Sequence, residues 1–253
     1  MIVKPKASFI GNPLLEYDSL ESTNTFTQNL VSKSKPTEGT VVFTHKQTAG
    51  KGQYGRKWES KSGQNITLSI VLKPTFLAIK DQFYLNIVTS LAVANTIEHY
   101  IKTDAKIKWP NDIYIGDLKT CGILIQNNIS ASQLISTIVG IGLNVNQTSF
   151  DPNIPNPTSL KLSTHQEHEV GEVRDTLFGE YESAYLKLKD GDHEELMEAY
   201  QSRMYRIGVL SKFKIDEKIV EGKIDAINSM GQLVIEIDGR LESFSKTEIQ
   251  YLK

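Results

Sequence analysis

The sequence predicts an α+β fold, a mixed β-sheet with flanking helices followed by a small terminal β-barrel. Three observations carry that expectation. Phe83, Ile87, Leu91, Ala94, Ile97 and Ile101 recur at helical spacing across residues 81–102. Two short apolar runs, 121–126 and 134–145, are rich in β-branched residues and read as buried strands. Beyond Gly208 the chain changes to strand-like segments separated by Asp216-Glu217, Met230-Gly231 and Asp238-Gly239, pairs suited to tight turns. A chain of 253 residues accommodates one main body and one small appendage, so the expected units are 1–206 and 207–253.

Taken in order, residues 25–34 read as a short helix, because Phe26 and Leu30 lie one turn apart behind the capping types Ser22, Thr23 and Asn24. Strands are expected at 40–44 and 65–72, flanking a glycine-rich stretch, and the long helix at 81–102 follows. After the two apolar strands, Pro152, Pro155 and Pro157 among polar residues at 147–159 support neither helix nor central strand and predict a long mobile loop. Helices are expected at 170–188 and 193–206, then strands at 209–215, 219–227, 233–237 and 241–245.

Lys plus Arg number 28 against 30 Asp plus Glu, a net charge of −2 that supplies no bulk attraction to nucleic acid or membrane. Any anion site must be local. One cysteine excludes an intrachain disulfide framework and suits a reducing compartment. Residues 1–13 contain neither a continuous apolar run nor a small-residue cleavage site, and no later stretch is long enough to span a bilayer, so a cytoplasmic location is expected. The five histidines, His45, His99, His165, His168 and His193, have no zinc-ligand spacing with one another or with Cys121. Cys121 reads as a small core residue rather than a nucleophile.

Two clusters carry chemistry. Gly50, Gly52 and Gly55 match the dinucleotide pattern G-x-G-x-x-G, but RKWESKSGQN follows with no apolar periodicity, so no helix N-terminus is available to hold a pyrophosphate. A loop running into a strand fits better. There the glycines let backbone approach a ligand while Lys51 and Arg56 bring positive charge; a solvated surface turn is the plain alternative. In KWPND at 108–112, proline holds Trp109 extended and Asn111 and Asp112 can turn the chain. Lys119 introduces the strand KTCGILIQ. Gly122 would weaken that strand unless a ligand or another backbone comes close.

In sequence, STN at 22–24, QTAGKGQYGRKW at 47–58, KWPND at 108–112, KTCGILI at 119–125 and GIGLNVN at 140–146 resemble the successive motifs of biotin protein ligases. The resemblance runs from about Tyr17 to Asn146, and the segment after Gly208 is similar to the Src-homology-3-like (SH3-like) barrel that closes those enzymes. It implies a class II synthetase-like catalytic domain, ATP and Mg2+ as cofactors, biotin as substrate, and a biotin carboxyl carrier protein domain as partner. Relatives occur as monomers and as homodimers built by sheet edges. By the same resemblance Ser22, Thr23, Asn24 and Gln47 hold the biotin ring, whose buried urea needs polar partners. Lys51, Gly52 and Gln53 wrap the carboxylate and phosphate region beside Gly122, Arg56 adds charge, and Trp58 packs on adenine. Lys108, Asn111 and Asn144 join the ATP site. Lys119 reaches the carboxylate and α-phosphate, and Asp112 assists magnesium or the incoming amine.

The chain departs from the usual pattern at Lys51 and Gln53, where many relatives carry arginine. A neutral donor contributes about half what a charge-assisted one does, so a weaker grip on the reactive intermediate is expected. A lipoate ligase is the nearest alternative enzyme, but its dithiolane substrate matches the polar 22–24 and Gln47 set poorly. A biotin-responsive repressor would need a helix-turn-helix module, for which the 21 residues before Ser22 are too few, so a monofunctional form is expected. A non-catalytic scaffold would leave the lysine and glycine clusters unexplained.

Overall fold

Alternation along β3 (Asn65–Leu72) divides the molecule into a core side and a ligand side. In the computed structural model, which describes residues 6–252, this strand lies within a seven-stranded sheet of order β1-β2-β3-β7-β6-β5-β4. The other strands are β1 (Leu14–Tyr17), β2 (Val41–Thr44), β4 (Ala105–Lys108), β5 (Asp112–Ile115), β6 (Leu118–Ser130) and β7 (Gln133–Asn144). The β1–β2 pair is parallel and the remaining pairs are antiparallel, so the sheet is mixed. The row Ile66–Leu143–Cys121 and the row Leu68–Ile141–Ile123 are paired in register and buried in the hydrophobic core. The neighbouring rows, Thr67–Gly142–Gly122 and Ser69–Gly140–Leu124, face the other way.

Helix α1 (Thr23–Ser34) begins where Ser22 caps it by accepting from Thr25 N, and it packs on β3 and β7. Helix α2 (Tyr84–Glu98) is buried on nearly every side, enclosed by the sheet, α4 (Val170–Asp190) and α5 (His193–Ser202). A short helix, α3 (Leu160–Thr164), precedes them. The C-terminal strands β8 (Leu210–Ile215), β9 (Lys218–Ile227), β10 (Leu233–Ile237), β11 (Arg240–Phe244) and β12 (Ile249–Tyr251) form a five-stranded antiparallel sheet of order β11-β10-β9-β8-β12. Asp216 and Glu217, and then Asp238 and Gly239, take positive φ and turn its first and third hairpins. This sheet docks onto the first through the Trp109 indole, which donates to the Gly231 carbonyl at 2.9 Å.

Several expectations are corrected. The helix expected at 81–102 is shorter, because Ile79–Asp81 forms a separate 3-10 turn and the chain leaves the helix at His99. The helix expected at 193–206 ends at Ser202; the next residues run beside β4, with Tyr205 N donating to Ile107 O at 2.8 Å. The strand expected at 121–126 extends across all of β6 because it pairs with β7 along its length. The stretch 147–159 forms neither helix nor strand, as expected, and its end is anchored to the main sheet: Lys119 N donates to Asn156 O, Thr158 N to Lys119 O and Asn144 Nδ2 to Thr158 O, at 2.7, 2.8 and 2.9 Å. Residues 1–5, part of the N-terminal segment read for a leader, lie outside the described residues.

Candidate active site

The ligand side of the main sheet is floored by glycine. A Cβ at Gly140 would stand 2.1 Å from Asn24 Oδ1, and one at Gly142 would stand 2.4 Å from the Trp58 ring. At Gly122 the same ring would be 2.9 Å away. Side chains from outside the sheet can therefore lie flat on its backbone. Gly122 had signalled a close approach, and the group that approaches is the Trp58 indole. Above this floor opens a cavity of about 1600 Å³, walled by the 50–58 loop, the 147–159 segment and the edge of the second sheet.

The sequence-predicted residues converge on this cavity. Ser22, Thr23, Asn24 and Gln47 line one end; Lys51, Gly52, Gln53, Arg56 and Trp58 line the loop side; Lys108, Asn111, Asp112, Lys119, Gly122 and Asn144 line the rest. At the first end Gln47 Oε1 accepts from Thr23 N at 2.9 Å. Asn24 spends its amide internally, donating to Leu124 O and Gln126 Oε1 at 3.2 and 3.1 Å and accepting from Ser69 Oγ at 2.6 Å. It supports the site rather than offering a free group. Asn111 likewise donates to Ile123 O at 2.7 Å and so holds β6.

The glycine loop closes as a narrow hairpin, with Gly52 N donating to Arg56 O at 2.7 Å and Trp58 N to Gly50 O at 2.9 Å. Its only helical piece is the 3-10 turn Gln53–Gly55, in which Tyr54 has φ 54°, so the helix N-terminus of a dinucleotide fold is replaced by a turn. Just beyond, Glu59 accepts from Gln147 Nε2 and Asp151 N at 3.1 and 3.0 Å, tying the loop to the 147–159 segment. The buried Trp58 Nε1 and Asn144 Oδ1 have no partner among the described residues. Both atoms are shut off from solvent, with Trp58 Nε1 lying over Gly142.

Charge gathers at the other end. Lys119 Nζ lies 2.7 Å from Asp112 Oδ1 and 5.6 Å from the Trp58 ring centre. Lys108 is held among Tyr114, Tyr205 and Tyr251, its Nζ 5.1, 5.9 and 5.0 Å from the three ring centres. Desolvation lowers the Lys108 pKa, against the opposing pull of Asp112. Sequence reasoning missed Lys246 and Arg206, which also line the cavity. Burial first, then Arg56 and Lys119, lower the Lys246 pKa, while Asp112 raises it. Lys246 lies in a turn before β12 with no motif around it. Only the docking of the second sheet, with its ammonium 5.8 Å from the Trp109 ring centre, brings it here. Eight Lys and Arg side chains line the cavity against six Asp and Glu, with Lys119 paired to Asp112 and Arg206 3.9 Å from Asp117, a modest excess of positive charge that suits an anionic ligand.

Among the described residues no three His, Cys, Asp or Glu side chains converge as a metal cage. Asp112 lines the cavity beside Lys119, with Asp117 near Arg206, and carboxylates this sparse fit a magnesium ion coordinated mainly by nucleotide phosphates. Cys121 is fully buried, and burial raises its thiol pKa, as suits a packing residue.

The sequence profile of the biotin/lipoate A/B protein ligase family matches residues 17–146. The bifunctional ligase/repressor BirA of Bacillus subtilis is 28% identical over 248 residues, covering 97% of this chain and 76% of that protein. The biotin–[acetyl-CoA-carboxylase] ligase of Mycobacterium tuberculosis is 25% identical over 220 residues, covering 85% and 80% respectively. The solved biotin protein ligase from Aquifex aeolicus in complex with biotin and ATP has a TM-score of 0.79 at 26% identity, covering 94% of this chain and 99% of that one.

Proposed function

The chain belongs to the biotin/lipoate A/B protein ligase family, and from that premise we infer that it is a biotin protein ligase, joining biotin to a lysine of an acceptor through biotinyl-5′-AMP. The single observation that carries this reading is the division of one cavity into a neutral polar end at Thr23 and Gln47 and a cationic end at Lys119, Arg56 and Lys246. The first suits a ureido ring, and the second suits a carboxylate meeting a polyphosphate.

In the first half-reaction a biotin carboxylate oxygen attacks the α-phosphorus of ATP, the bond to the bridging oxygen breaks, and pyrophosphate leaves. Two anions must approach, so Lys119 and Lys51 offset their repulsion and then stabilise charge on the transferring oxygens. Asp112 holds the Lys119 ammonium in place at 2.7 Å. Lys246 and Arg206 stand ready for the outer phosphates. Asp112 would also hold magnesium, which when bound offsets phosphate charge. In the second half-reaction the acceptor amine attacks the carbonyl carbon of the mixed anhydride, the bond to the phosphate oxygen breaks, and AMP leaves. The 50–58 loop and the 147–159 segment, joined through Glu59 and Gln147, shield the anhydride from water.

We take 1–206 as the catalytic unit and 207–253 as an SH3-like barrel that completes the phosphate end; Lys246 at the cavity supports that assignment. The acceptor would be the biotin carboxyl carrier portion of a carboxylase such as acetyl-CoA carboxylase. Exchange of labelled pyrophosphate into ATP tests the reading: biotin should support it and lipoate should not. Exchange driven by lipoate alone would replace biotin with the dithiolane acid.

A further inference from the structure

We propose that Trp109 and Tyr251 are positioning residues, a crossed pair of rings that hold Lys246 and Lys108 at the phosphate end of the cavity so that one lysine from each sheet grips the nucleotide. The proposal rests on the biotin ligase reading and specifies how its ATP site is assembled from two separate sheets.

The main sheet supplies a cation and a ring in consecutive residues, Lys108 at the end of β4 and Trp109 just after it. The second sheet supplies the same two groups along one short strand, Lys246 in the turn before β12 and Tyr251 at its end. They meet crosswise. Lys246 Nζ lies 5.8 Å from the Trp109 ring centre, and Lys108 Nζ lies 5.0 Å from that of Tyr251. An ammonium at such a distance is drawn to the negative face of the ring, more strongly where water is kept away. Trp109 is 3% exposed, and the buried Tyr251 hydroxyl has no hydrogen-bond partner among the described residues, so it is the ring face of Tyr251 that meets a polar group. Of the three rings around Lys108, only that of Tyr251 comes from a strand of the second sheet.

The two lysines are close enough to repel. Burial does most to lower the Lys108 pKa and the charge of Lys246 adds to it, while Asp112 opposes both. The rings offset that repulsion, and a polyphosphate reaching both ammoniums turns it into shared attraction.

Trp109 has a second grip. Its Nε1 donates to Gly231 O at 2.9 Å, and that carbonyl belongs to a stiff turn in which Asn228 Oδ1 accepts from Met230 N and Gln232 N, both at 3.0 Å. Gly231 takes φ 79° and presses on Phe83, whose ring would stand 2.3 Å from a Cβ there. The turn that carries Lys246 is also closed on itself, Ser245 N donating to Glu248 Oε2 at 2.6 Å and Glu248 N to Ser245 O at 3.1 Å. Two preformed turns of the second sheet thus meet one indole, the first at its edge and the second at its face. Displacing the indole displaces Lys246.

The test reads KM for ATP in biotin-dependent pyrophosphate exchange by the full chain, with biotin affinity from titration calorimetry. Lys246→Ala removes one charge-assisted contact, so it should raise KM for ATP about tenfold and leave biotin affinity unchanged. Trp109→Leu should do the same, and combining the two should be little worse than either alone. Tyr251→Leu and Lys108→Ala should couple in the same way, whereas Tyr251→Phe, which keeps the ring, should restore most of what leucine loses. Trp109→Phe keeps a face and loses the N–H; it should fall between, and it carries the test if the leucine variant does not fold. Additive losses in the paired variants, or biotin affinity falling in step with that for ATP, would mark the rings as merely structural and overturn the proposal. A native protein without biotin-dependent exchange would instead reject the ligase reading itself.

Discussion

Replacing Lys119 with alanine separates what this lysine does for the fold from what it does for the reaction. Its ammonium lies 2.7 Å from Asp112, with the two side chains 27% and 25% exposed. A partly solvated pair of this kind contributes about 0–1 kcal/mol to stability, which in a chain of this size shifts the melting temperature by only a few degrees. A charge-assisted hydrogen bond to the reacting carboxylate or α-phosphate contributes about 1.5–3 kcal/mol, or roughly one to two powers of ten in rate. Lys119→Ala should therefore lower kcat/KM for biotin-dependent pyrophosphate exchange by about ten- to a hundredfold while the protein melts nearly as before. Asp112→Asn should cost less alone, and the double variant less than the sum, because one ion pair is shared. An unchanged exchange rate in folded Lys119→Ala would remove this residue from the chemistry, and a loss explained wholly by unfolding would make it structural.

Three other outcomes are expected. Gly142→Ala puts a methyl 2.4 Å from the Trp58 ring and should force the indole off the sheet, raising KM for ATP and shifting tryptophan fluorescence; unaltered emission would show that the ring had not moved. Gln53→Arg restores a charge to the loop and should slow escape of free biotinyl-adenylate severalfold, read by trapping the released intermediate; identical release from both proteins would contradict this. Glu182 accepts from Ser8 N, Ser8 Oγ, Phe9 N and Ile10 N at 2.6–3.0 Å; burial alone would raise its pKa, but these bonds hold it below the ordinary 4.5. Its stabilisation is thus complete above that value and lost as pH falls through the lower folded pKa, so Glu182→Gln should be less stable at neutral pH and lose less stability on acidification, as denaturant titrations at several pH values would show.

The long elements were legible because many residues repeat one message: α2 in its apolar spacing, β3 and β7 in their β-branched runs. Several short ones, unlike β2, were not. β1, β4, β5 and β12 have three or four residues each and owe their existence to a neighbour, as β1 does to β2 and β12 to β8. The residues now lining the cavity were legible through ordered motifs, which encode local backbone such as the turn at Gln53–Gly55. Lys246 was hidden because it arrives from a separate sheet whose placement depends on Trp109 meeting Gly231. Ser69 was hidden for a related reason: a serine in an apolar strand acquires meaning only when register sets it beside Gly140, and the glycine leaves space for Asn24.

The proposed chemistry requires that one cavity both make the mixed anhydride and deliver it to a protein amine. Incubating the full chain with biotin, MgATP and a biotin carboxyl carrier domain, then mapping the carrier by mass spectrometry, tests it most directly. One biotinyl group on one lysine, dependent on ATP and accompanied by AMP, is the predicted result. A carrier that stays unmodified while ATP and biotin are bound would contradict it.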